Sequence, residues 1–132
     1  DYSWQLFKTL NKTKISLQIC GWSSLLMGLV FFLYPHYYAQ LEGASYENIA
    51  WLRNLGAALI SVNGIGALLA SSNPSKERKL YDVVLLSSCL ETIALSWSTY
   101  HWEFSATVKE YIIIPLLAAG LVSGILLIFR PK

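Results

Sequence analysis

Charge is scarce in this chain. Asp, Glu, Lys and Arg make up 14% of its 132 residues, against about 25% in soluble domains. The net charge of +2 is too small to draw a nucleic acid. Cysteine is nearly absent: Cys20 and Cys89 are the only two. They form no C-x-x-C pair, and both fall in apolar runs, where a thiol is inert. They read as small apolar fillers, with a disulfide or a quinone-linked redox pair as the alternatives. Also missing are G-x-S-x-G, the P-loop and H-E-x-x-H, so the motifs of α/β-hydrolases, P-loop NTPases and zinc peptidases are not here. The expectation is a protein that is not an enzyme.

Apolar residues, by contrast, make up 55% of the chain. They gather in four runs, 15–34, 49–70, 80–100 and 111–129, each 19 to 22 residues long. A helix needs ~20 residues to cross ~30 Å of hydrocarbon. The pattern predicts an all-α fold: one transmembrane domain over 1–132, an antiparallel four-helix bundle in a lipid bilayer. The first run is too long and too poorly placed for a cleaved signal peptide. Residues 2–14 put Trp4, Phe7 and Leu10 near one face with lysines between, which reads as an interfacial segment lying on the membrane surface.

Eight of the ten basic residues (Lys8, Lys12, Lys14, Lys76, Arg78, Lys79, Arg130 and Lys132) flank the runs on one side. The other two loops carry Glu42, Glu47, Glu103 and Glu110, with Lys109 as their only basic residue. Basic loops stay on the cytoplasmic side or its organellar equivalent. Both termini are therefore expected inside an inner, plasma or organellar membrane, with 35–48 and 101–110 outside.

Local signals place the ends. Pro35 stops the first helix. Ser45, with Glu47 near it, is an expected N-cap for the second helix, Asn73-Pro74 for the third, and Thr107-x-x-Glu110 is a capping box before the fourth. Pro115 predicts a bend inside the fourth run.

Small residues allow close helix approach where hydrophobic drive is absent. Gly21 and Gly28 supply them in the first run, Gly56 and Gly64 in the second, and Gly120 and Gly124, a G-x-x-x-G, in the fourth. They serve either one internal core or, for the last pair, docking against another integral membrane subunit.

Glu91 is the most unusual residue. An ionised group at mid-membrane costs at least ~2.5 kcal/mol on insertion scales. Its neighbours at helical spacing are Ser87, Ser88, Ala94 and Leu95. Arg53 in the second run is the expected partner, at an axial offset of roughly 7 Å, with Asn54 and Asn63 nearby. Either the two charges form a structural ion pair, or Glu91 is a proton or cation site that Arg53 tunes. Asp82 is expected to pair with Arg78 and Lys79. His36 and His101 lie at the outer interface and are weak metal candidates; either would ligate a chlorophyll or haem in a pigment or redox complex. No cofactor is required, though a bound lipid, quinone or pigment fits such a chain. No lysine lies inside a run, which excludes a retinal Schiff base.

The layout resembles small uncharacterised four-helix integral membrane proteins of bacterial type. The residues that carry this are Gly28, Pro35, Arg53-Asn54-Leu55-Gly56-Ala57 and Glu91, over 15–100. The resemblance implies a fold and no activity. Small multidrug transporters are of similar length but carry their glutamate in the first span, which here has no charge.

These features lead to the expectation of a non-enzymatic accessory or structural subunit of a larger membrane complex, respiratory or photosynthetic. The alternative is a small dimeric transporter or channel that uses Glu91 as an intramembrane proton or cation site.

Overall fold

The computed structural model describes residues 1–41, 49–101, 103 and 112–131. Of these, 89% are helical and none lies in a strand. The helices are α1 (Tyr2–Leu33), α2 (Pro35–Leu41), α3 (Ile49–Ser72), α4 (Arg78–Tyr100) and α5 (Ile113–Ile128). Three of them, α1, α3 and α4, are long and apolar enough to cross a membrane. With 16 residues, α5 extends about 24 Å, less than the ~30 Å hydrocarbon core.

Several local expectations are corrected. Residues 2–14 form no separate helix; they are the opening turns of the 32-residue α1. At 1.5 Å per residue α1 is about 48 Å long, roughly 18 Å more than a crossing of the ~30 Å hydrocarbon core needs. Trp4 stacks on Phe7 along this extension, and the Lys8 ammonium lies 5.2 Å from the Trp4 ring. Asn73 caps no helix. Its carbonyl and side-chain oxygens accept from the backbone N–H groups of Glu77 and Lys76, closing the turn after α3, and α4 starts only at Arg78. Pro115 bends nothing, because α5 opens at Ile113 and a first-turn residue has no intrahelical N–H bond to lose. The expected caps Ser45 and Thr107 with Glu110 lie outside the described residues.

Pro35 acts as expected. Tyr34 leaves the helical region at φ −127°, ψ 47°, as the residue before a proline must. Pro35 then opens α2, where no N–H is needed. This short helix folds back on α1: Tyr38 meets Phe31 edge-to-face at 4.5 Å, and Ala39 is buried.

Glycine sets the closest approach, between α1 and α3. A Cβ on Gly28 would stand 2.9 Å from the Gly56 carbonyl oxygen, and one on Gly21 3.1 Å from that of Gly64. Gly56 and Gly64 are eight residues apart, which in an α-helix leaves them about 80° out of phase. Residues Leu59–Gly66 form a π-helix, whose wider turn absorbs that excess and keeps both glycines against α1.

Polarity runs from the inside out. Exposed apolar stripes cover α1 (Ile15, Ile19, Trp22, Leu26), α4 (Val83, Leu86, Leu90, Ile93, Trp97) and α5 (Ile114, Leu117, Leu121, Ile128). Buried positions include Thr13, Ser16, Asn63, Ser71, Ser88 and Ser123. A helix assembly with apolar outside and hydrogen-bonded polar groups inside is matched to lipid rather than water.

The packed core sits at one end, where Leu17, Cys20, Ala67, Ala70, Tyr81, Val84, Leu85 and Leu126 meet. Two carbonyls near the end of α5 are satisfied from other helices there. The Tyr81 hydroxyl donates to the Leu126 carbonyl at 2.5 Å, and that of Thr13 donates to the Phe129 carbonyl at 2.6 Å. Asp82 corrects its expected pairing. It takes Arg130, not Arg78 or Lys79, through two parallel bonds of 2.8 and 2.9 Å, and hydrogen bonding to Asp82 pushes the Arg130 guanidinium above its ordinary pKa. Toward the other end the helices leave a cleft.

Candidate functional site

The cleft has a volume of about 410 Å³ and takes its walls from every helix. Ser24, Met27 and Phe31 come from α1 and Tyr38 from α2. Leu52, Leu55, Leu59 and Asn63 come from α3, Ser88, Glu91, Ala94 and Leu95 from α4, and Pro115, Ala119 and Val122 from α5. The α3 contribution repeats at intervals of three and four residues, so it forms one helical face. Such a volume, with mainly apolar walls and a few convergent polar groups, is typical of small-molecule sites.

Glu91 stands at its polar side. Its carboxyl oxygens accept from the Ser87 hydroxyl and from Asn63 Nδ2, both at 3.3 Å. The Ser87 hydroxyl also donates to Asn63 Oδ1 at 2.8 Å, and Asn63 Nδ2 to the Ser88 hydroxyl at 3.3 Å. Asn63 is 1% exposed. Its backbone carbonyl lies in the π-helix and accepts from the Cys20 thiol at 3.7 Å. Below this ring, Thr92 and Ser123 join α4 to α5 through their hydroxyls at 3.1 Å. Among the described residues no buried side-chain nitrogen or oxygen lacks a partner. The site is thus a set of neutral hydrogen-bonding groups around one carboxyl.

The expected ion pair is not formed. Arg53 is exposed, and among the described residues the one ion pair is Asp82–Arg130. The axial offset was a fair measure of height, but it ignored direction around the helix. Leu52 faces the cleft, and Arg53, one residue on, points about 100° away. Asn54 is also turned aside, donating to the Ala50 carbonyl. Asn63 takes the role expected of Arg53. Its sequence signal was an amide in mid-run, beside Gly64 and Gly66 and at helical spacing from Leu52, Leu55 and Leu59.

The glycines divide into two groups. Gly21, Gly28, Gly56 and Gly64 are at the α1–α3 contact. Gly120 and Gly124 are not closely packed by the described residues: among these, a Cβ on Gly120 would meet only the Thr92 methyl at 3.9 Å, and one on Gly124 nothing within 4 Å. The histidines are far apart in their settings. His36 lies exposed on α2, and His101 ends α4 with its ring 4.2 Å from that of Trp97. Cys20 is buried and Cys89 half-buried, both as thiols. No protein-family model, curated protein or solved structure matches the chain significantly.

Proposed function

We propose that this chain is an antiparallel four-helix integral membrane protein with both termini on the cytoplasmic or equivalent side, and that it binds a small molecule in an intramembrane site centred on Glu91. One observation carries the reading: Glu91 lines a cleft of about 410 Å³ with only neutral partners. A carboxyl retained at mid-membrane marks a functional site unless another group neutralises it, and the residue best suited to do so, Arg53, is turned away. This favours the transporter or channel alternative over a purely structural role. The π-helix beside the site supports it further, since such turns recur at functional sites. The fourth span rests on α5, which lengthens to a full crossing only with residues outside the described set.

A second reading, the accessory subunit of a larger membrane complex, is favoured by Gly120 and Gly124. They present a small-residue face on α5 that the described residues leave open, and such faces receive other helices.

Extraction from the native membrane in mild detergent, followed by native gel and mass spectrometry, separates the two. A free monomer or dimer carrying a small-molecule mass, lost from Ala119→Leu, supports the Glu91 site. A stoichiometric large complex with an empty cleft supports the accessory subunit and counts against a binding role.

A further inference from the structure

The cleft is chemically one-sided. Among the described residues that line it, Glu91 alone carries a formal charge, and no described cation lies within ion-pair distance of it. A carboxylate offers about four lone-pair sites. Here it receives two bonds, each 3.3 Å long, where strong charge-assisted bonds are ~2.7–2.9 Å. Both donors are shared: Ser87 holds Asn63 Oδ1 more closely, at 2.8 Å, and Asn63 divides its amide between Glu91 and Ser88. The ring therefore aims the carboxylate without filling it. The rest of the lining is mainly apolar, with Met27, Phe31, Leu59, Leu95 and Val122 among it, and its other polar members, such as Ser24, Tyr38 and Ser98, are uncharged.

Resting on the reading of the cleft as a ligand site, we propose that its ligand is a lipophilic ammonium: a protonated amine on a compact apolar body. The N–H groups fill the open lone pairs of Glu91, and the hydrocarbon packs on the apolar part of the lining. An anion would meet like charge. A neutral alcohol would satisfy one lone pair and leave the charge uncompensated in hydrocarbon. A bare metal cation would find one carboxyl and neutral groups, too few oxygen ligands for calcium or magnesium. Only an apolar cation matches both the charge and the walls.

The test uses two probes of one shape, 1-adamantylamine and 1-adamantanol, with the full chain in lipid nanodiscs and empty nanodiscs to subtract partitioning. The amine is expected to saturate one site and the alcohol to bind about 30-fold more weakly or less. Glu91→Gln should bring the amine to the level of the alcohol, and Ala119→Leu, which narrows the cleft away from the carboxyl, should abolish both. The comparison of the two probes on the unaltered protein stands even if a variant does not fold. Equal binding of amine and alcohol, undiminished by Glu91→Gln, overturns the ammonium and leaves the cleft as a neutral-ligand site. Absence of saturable amine binding also overturns it, and the cleft then stands or falls on the co-purified mass described above.

Discussion

Gly28 and Gly56 face each other across α1 and α3 so closely that neither tolerates a side chain: a Cβ on Gly28 would lie 2.9 Å from the Gly56 carbonyl oxygen, and one on Gly56 2.8 Å from that of Gly28. These two oxygens, like the Ile60 and Phe32 nitrogens beside them, are backbone, which cannot swing aside as a flexible side chain can. The cleft depends on this contact, because it holds α3 and its π-helix in place beside α4.

Gly28→Ala is accordingly expected to lower stability by about 1–3 kcal/mol through overpacking, measured by sodium dodecyl sulfate titration in mixed micelles. Gly124→Ala should be neutral or stabilising by up to ~1 kcal/mol, since a methyl there meets none of the described residues and alanine favours the helix. Equal losses at the two positions would contradict the packing described.

Tyr81 is fully buried and donates to the Leu126 carbonyl. That carbonyl lies in the last turn of α5, where no helical N–H follows to claim it. Tyr81→Phe leaves it unpaired in an apolar setting and should cost about 1–3 kcal/mol. Thr13→Val should have a smaller effect on the same titration, because the Thr13 hydroxyl already divides itself between the Thr9 and Phe129 carbonyls.

The Asp82–Arg130 pair is solvent-exposed in part, at 39% and 45% of the two side chains. Exposed ion pairs contribute little to stability even with good geometry. Asp82→Asn should therefore leave the unfolding midpoint unchanged at physiological salt. A marked loss would mean that this end of the assembly is more deeply embedded than its exposure indicates.

The basic residues predict an orientation. In a background with Cys20 and Cys89 replaced by serine, Lys76→Cys should react with a membrane-impermeant maleimide only from the cytoplasmic side. Glu103→Cys should react only from the opposite side. Labelling of both from the same side would contradict a crossing of the bilayer by α4.

Much of the helical framework was legible in the sequence, because run length, a stop at Pro35 and the absence of charge are local signals. The helices α3 and α4 match the runs 49–70 and 80–100 within two residues at each end. What could not be read was azimuth and long-range pairing. Arg53 sits at a fair height for Glu91 but faces away, whereas Asn63, on the cleft face of α3, reaches it. Asp82 chose Arg130, 48 positions distant, over basic neighbours one turn away. The cleft was invisible for the same reason: it is the space that five helices leave, and no single residue encodes it.

The central claim is that Glu91 is held by Asn63 and left without a counter-charge. Double-mutant cycles of Glu91→Gln with Asn63→Ala and with Arg53→Ala, read by the same micelle titration, test it directly. The account predicts a coupling of about 0.6–1.7 kcal/mol between Glu91 and Asn63, the range of intramembrane hydrogen bonds, and additivity within ~0.5 kcal/mol for Glu91 and Arg53. A strong coupling with Arg53 and none with Asn63 would restore the structural ion pair and remove the basis for a ligand at Glu91.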